Sequence, residues 1–178
     1  MHPRIKEVVE ALDSRRAELT RAVNEVPTSA RNRRPSEDRW SVAEVLEHLA
    51  LVEENIPQRV KALVTEQRTN GLGAERESTS IAKTFDSVSM LDRSKKRVAR
   101  DAMQPRSGVD AAAAWTRLER ARQVTHETLS ELDGVALSDV SAPHPALGPL
   151  NGYQWFLFLA AHEGRHTAQV REITAAIV

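Results

Sequence analysis

The chain has 178 residues with 25 basic and 25 acidic side chains, so its formal net charge is zero, and it has no cysteine. The even balance excludes a global field that would draw it to nucleic acid or to an anionic membrane. The missing cysteines exclude disulfides, thiolate metal sites and a protein-borne sulfur nucleophile.

The first stretch, MHPRIKEVVEALDSRR, is charged and amphipathic rather than leader-like, and no run reaches the roughly 18 apolar residues of a membrane span. A cytoplasmic location is the expectation. From Pro3 to about Val26, the residues Ile5, Val8, Val9, Leu12, Leu19, Ala22, Val23 and Val26 recur at helical spacing, and Pro27 ends the pattern. This predicts a first helix. The arginine-rich connector TSARNRRPSEDR then leads to Trp40 and Ser41, and Ser41 with Glu44 reads as a capping box opening a second helix that runs to about Arg68. Pro57 inside it should kink it or mark a break, because proline lacks the amide hydrogen and clashes with the preceding turn.

Residues 69–109 carry few core hydrophobes and predict one short helix around Leu91 to Ala99. Connections this long are more often functional or mobile than plain. Helical spacing resumes from Val109 to Leu132, with Ala113, Leu118, Ala121, Val124, Thr125, Thr128 and Leu132 assigned to one inward side and Gly134 as C-cap. SAPHPALGPL reads as a proline-bearing loop, after which Asn151 and Gln154 supply the start signal of a last helix. No segment shows sustained strand alternation. The expectation is a single domain over residues 1–178, all-α, built as a four-helix bundle with a long connection between helices two and three. Such bundles commonly hold metals and ligands on inward-facing side chains.

The last helix carries AAHEGRHTAQV, in which His162 and His166 lie four positions apart. That spacing separates them by about 40° around the axis and about 6 Å along it, so both imidazoles can converge on one ion, on the same face as Leu159, Gln169 and Ile173. A stable site needs a further ligand from another element. His48 is the best donor, because it falls among Val45, Leu49, Val52 and Ile56 on the apolar stripe of helix two. Taken singly, an inward histidine is more often a hydrogen-bonded core residue. Three together suit a divalent ion with open positions, zinc first and nickel or iron also, and not a closed four-ligand structural site. His2, His126 and His144 are read as non-ligands, with His126 and His144 as pocket-lining residues.

His162 to His166 also match H-E-x-x-H, the pattern in which a protease glutamate activates water on zinc. A zincin takes its third ligand downstream, yet the only carboxylate after His166 is Glu172, on the same helix. Protease chemistry is therefore set aside, and Glu163 is expected to flank the pocket or face solvent.

Three pieces of the chain resemble the DinB-like (DinB/YfiT) superfamily of four-helix metal-binding proteins. They are RWSVAEVLEHLALVEE, the long variable region between helices two and three, and HPALGPLNGYQWFLFLAAHEGRHTAQVREI with its H-x-x-x-H-x-x-Q ending. The resemblance implies that His48, His162 and His166 are the metal ligands, with Gln169 a nearby polar residue. It also implies activities such as transfer of a low-molecular-weight thiol to an electrophile, and a homodimer. The expected function is a metal-dependent thiol S-transferase acting on a small-molecule electrophile. The alternatives are a metal-dependent hydrolase using water at the ion, and a noncatalytic, stress-associated metal-binding bundle.

Overall fold

The computed structural model describes residues 1–94 and 99–177. Its helices are α1 (Pro3–Asn24), α2 (Val42–Arg68), the short α3 (Ser87–Leu91), α4 (Ala111–Glu131) and α5 (Gly152–Ile177). The four long ones are the predicted bundle. α2 packs along α4 and α1 along α5, and α2 also meets α5. None of the described helices is long and apolar enough to cross a membrane.

Each long helix starts where a polar side chain can take up free amide hydrogens. At α2 the Ser41 hydroxyl accepts from the Glu44 amide at 3.2 Å, and the Glu44 carboxylate accepts from the Ser41 amide at 2.8 Å, closing the predicted capping box. Asp110 accepts from Ala112 and Ala113 at the start of α4. Asn151 and Gln154 exchange reciprocal bonds of 2.9 Å ahead of α5. α2 continues through Pro57, which is buried and does not end it. Gly134 has φ +77°, the left-handed backbone expected just past the end of α4.

Two expectations about the helices change. On α4, Ala113 is exposed and Val124 is 46% exposed, while Ala111, Ala114, Leu118, Ala121, Thr125, Thr128 and Leu129 turn inward. The alanine run at 111–114 gives no phase of its own, so the register is set by Leu118 and Leu129. In the connection, α3 lies earlier than the predicted Leu91 to Ala99 segment: Asp86 caps it by accepting from the Ser89 amide, and it ends at Leu91. Lys95 to Val98 of that segment lie outside the described residues.

The stretch read as a loop folds as a hairpin, β1 (Ser141–His144) against β2 (Gly148–Asn151), antiparallel, with Pro143 opposite Pro149. Prolines cannot donate to a ladder, so they fit only an edge, and a two-stranded ribbon consists of edges. The start of the long connection is fastened to the bundle by polar contacts. Buried Arg4 donates to the Thr79 carbonyl, to Glu75 and to Ser138, and the Glu7 carboxylate accepts from the amides of Ile81 and Ala82. Ile81, Phe85 and Met90 then join the core.

The apolar interior forms two clusters. One holds Leu12, Val52, Leu129 and Phe156 with the hairpin, and the other holds Leu19, Leu46, Leu118 and Val170. Between them lies a layer of four charged side chains, one from each long helix. Arg16 Nε donates to Glu163 at 2.6 Å and its Nη2 to Glu53 at 3.0 Å; Arg122 Nε donates to Glu53 at 2.5 Å and its Nη2 to Glu163. Arg122 also donates to the Leu12 carbonyl at 2.8 Å, and the Thr125 hydroxyl donates to Glu53 at 3.2 Å. Two cations and two anions balance. Such a layer adds little net stability over an apolar one of equal volume, but sliding any helix would leave a buried charge unpaired.

Candidate metal centre

His48 on α2 and His162 and His166 on α5 meet where the two helices face each other. One ring nitrogen from each lies within 4.8 Å of the others, and the two Nε2 atoms of His48 and His162 are 3.2 Å apart. The three residues are 4%, 9% and 8% exposed, so the cluster is largely withdrawn from water. The structure thus brings together all three histidines singled out in the sequence.

Two of the rings are held in a defined tautomer. His48 Nδ1 lies 2.7 Å from the Met103 carbonyl, an oxygen that can only accept, so Nδ1 carries the proton and Nε2 keeps its lone pair. His166 Nδ1 lies 2.7 Å from Gln169 Oε1, with the same consequence. This gives Gln169 a role that the sequence did not disclose. Burial is the first cause that lowers all three imidazoles below their ordinary range. For His162 the neighbouring His166 and His48 add to it, and for His48 the Met103 carbonyl opposes it without cancelling it. The rings are therefore neutral at neutral pH, and neutral imidazole is the form that coordinates. A donor set of three neutral nitrogens with outer hydrogen bonds fixing the rings fits a divalent ion, and among the described residues no carboxylate joins it.

Aromatic side chains wall the cluster. Trp40, half-buried just before α2, lies 5.1 Å from the His48 ring and stacks with His166 at 6.5 Å. Phe158 lies 5.3 Å from the His162 ring. His144, expected to line a pocket, sits one layer out, against Phe158 at 4.7 Å and Trp155 at 5.4 Å. His126 is not in the cluster: its Nε2 faces the exposed Asp13 of α1 at 3.0 Å. His2 caps α1 by accepting from the Arg4 amide.

The five residues that match H-E-x-x-H have separate tasks. His162 and His166 enter the cluster. Glu163, expected at the pocket or in solvent, is 2% exposed and belongs to the buried charged layer, where Arg16 and Arg122 hold its carboxylate away from the histidines. Gly164 lets α3 approach, since a Cβ there would stand 2.9 Å from Leu91 Cδ2. Arg165 reaches the carbonyls of Met90 and Asp92 at the end of α3. A glutamate tied up in this way cannot activate water for a protease.

Sequence reasoning missed the contribution of the connection, because the acceptor for His48 is a main-chain atom. It also missed Arg16, Glu53 and Arg122, although a signal existed: the apolar stripe of α1 skips from Leu12 to Leu19, and Arg16 fills the gap. In the connector before α2, Arg31 donates to the Val26 carbonyl and Arg34 to the Glu44 carboxylate.

A sequence profile of the DinB superfamily matches residues 11–170. The chain is 27% identical over 147 residues, 82% of its own length and 84% of the relative's, to YuaE of Bacillus subtilis (strain 168), a protein described as uncharacterized. The crystal structure of TT2238, described as a four-helix bundle protein, superposes with a TM-score of 0.60 at 19% identity, over 94% of this chain and 98% of that one. That likeness concerns the fold alone.

Proposed function

Because the chain belongs to the DinB superfamily and brings three neutral histidine nitrogens within 4.8 Å of one another, we propose that it is a metal-dependent enzyme transferring a low-molecular-weight thiol to a small electrophile. The histidine cluster is the observation that carries this reading. Zinc suits three imidazoles best, and nickel or iron also fit. When bound, a divalent ion would supply a Lewis-acid centre that favours thiolate over thiol.

The protein's own part is to hold and to shield. His48 and His166 keep their protons at Nδ1 and aim Nε2 inward. Trp40 and Phe158 lie against the His48 and His162 rings and give the cluster apolar neighbours. With no cysteine in the chain, the sulfur arrives with the cosubstrate. In the transfer the thiol sulfur bonds to the electrophilic carbon, the leaving group departs with the electron pair of the bond that breaks, and the thiol proton passes to solvent.

The test is product formation from a small alkylating electrophile, with and without added thiol, in zinc-loaded wild type and His48→Ala. Turnover is expected only with thiol, and only in wild type. Equal turnover without thiol would replace transfer by hydrolysis, and a bound ion without any turnover would leave a noncatalytic metal-binding bundle. The proposed assembly is a homodimer, as the family resemblance implies, and sedimentation as a monomer at high concentration would remove it.

A further inference from the structure

Glu47 and His48 are consecutive on α2, and both reach the same short piece of the long connection. The Glu47 carboxylate, 1% exposed, accepts from the Arg106 amide at 2.8 Å and from Arg106 Nε at 2.9 Å. Three residues upstream, the Met103 carbonyl accepts the His48 Nδ1 proton at 2.7 Å. Between them, Gln104 donates to the Ala99 carbonyl at 2.7 Å and closes the turn that contains the single 3-10 turn Asp101–Met103. The Arg106 side chain is 80% exposed and is held by little else than this carboxylate.

A buried carboxylate that spends two of its acceptor positions on one exposed residue is poorly explained as a stability device. Surface ion pairs contribute little, and taking the carboxylate out of water is costly. The arrangement is well explained as a clamp. Among the described contacts Glu47 alone bonds residue 106 to α2, while the Met103 side chain packs against the core, so the carbonyl at 103 lies between two attachments of the turn.

Resting on the reading of the three histidines as a metal centre, we propose that Glu47 is a positioning residue for it: by pinning Arg106 to α2 it fixes the Met103 carbonyl, and through that carbonyl the tautomer of His48. The long connection thereby becomes a working part of the centre. Glu47 touches neither the ion nor a substrate. Its other neighbour, Arg117, approaches it at 3.5 Å from α4 while binding Glu54 more closely, and takes no part in the clamp.

The experiment pairs two readouts on Glu47→Gln, Arg106→Ala and Arg117→Met. The first is zinc affinity by competition with a chelator of known strength. The second, on metal-free protein, is the histidine tautomer read from long-range proton–nitrogen NMR spectra. Glu47→Gln keeps one acceptor oxygen but loses the second bond and the charge that hold Arg106, and is expected to weaken zinc measurably and to turn His48 from a pure Nδ1–H form into a mixture. Arg106→Ala should shift both readouts the same way by less, since the backbone bond survives, and Arg117→Met should shift neither. A Glu47→Gln protein with wild-type zinc affinity and an unchanged His48 overturns the proposal while leaving the metal centre standing. Equal weakening by Arg117→Met also overturns it, because Glu47 would then act through helix pairing. If wild type takes up no zinc, the metal reading fails, and the NMR spectra of the metal-free protein still decide whether Glu47 sets the His48 tautomer.

Discussion

Arg16 Nε and Glu163 Oε1 stand 2.6 Å apart across the α1–α5 contact, one residue along the helix from a histidine of the cluster yet directed into a separate charged layer. Replacing Glu163 with glutamine leaves Arg16 and Arg122 short of a counter-charge in the interior, where breaking a buried pair costs about 3–5 kcal/mol. Urea unfolding should show a loss of that order. Zinc stoichiometry should remain that of wild type, and a folded Glu163→Gln protein without zinc would contradict the separation of the two sites.

Two helical glycines should respond differently to alanine. At Gly152 a Cβ would stand 2.9 Å from the Leu137 carbonyl oxygen and 3.0 Å from Leu137 Cβ and Val140 Cγ2, and the two Leu137 atoms cannot move without the backbone. Gly152→Ala is therefore expected to destabilise by about 1–3 kcal/mol. At Gly164 the obstructing atoms are the ends of Leu91 and Arg15, which can swing aside. Gly164→Ala should stay within about 1 kcal/mol of wild type, because the gain in helix propensity offsets the crowding. Thermal melts of the two variants side by side test the order.

Burial alone would raise the Glu44 carboxyl, but bonds from Arg34 and from the Ser41 amide outweigh it and hold the group below its ordinary value. A carboxyl lowered by folding stabilises the protein above its unfolded pKa, about 4.3, and that contribution is lost as pH falls through the lower folded value. Wild type should thus lead Glu44→Gln in stability at neutral pH, with the gap closing below about pH 4. Chemical denaturation at pH 7, 5 and 3.5 measures it. A gap that widened with acid would reverse the assigned direction.

Metal content separates inner from outer residues at the cluster. His48→Ala and His166→Ala each remove one of the three donors found among the described residues and should abolish retention of about one ion per chain. Gln169→Leu keeps every donor but removes the acceptor for His166 Nδ1, so it should still bind at saturation with affinity lower by about 10–100-fold. Mass spectrometry for content and chelator competition for affinity distinguish the two classes.

The bundle was legible in the sequence because long helices with apolar faces announce themselves by period, and the start signals at Ser41 and Asn151 are local chemistry. His48 was legible for the same reason, as a polar residue on an apolar stripe. The register of α4 was not, since alanines fit an exposed face as well as a buried one. The hairpin was hidden by Pro143 and Pro149, which argue against strands everywhere except at an edge. Glu163 was misjudged because its partners, Arg16 and Arg122, are distant in sequence and charged residues are ordinarily solvated.

The bond that fixes His48 ends on a main-chain oxygen, and every amino acid carries one. The imidazole therefore sets no requirement on which side chain stands at 103. It sets one on chain length, because the oxygen at 103 and the amide at 106 must both meet α2. Descendants of this gene can lose the Arg106 or Gln104 side-chain bond and keep the main-chain ones, but cannot gain or lose a residue within the span without moving one of them. The trace of the constraint is an invariant count, visible where insertions and deletions are tallied.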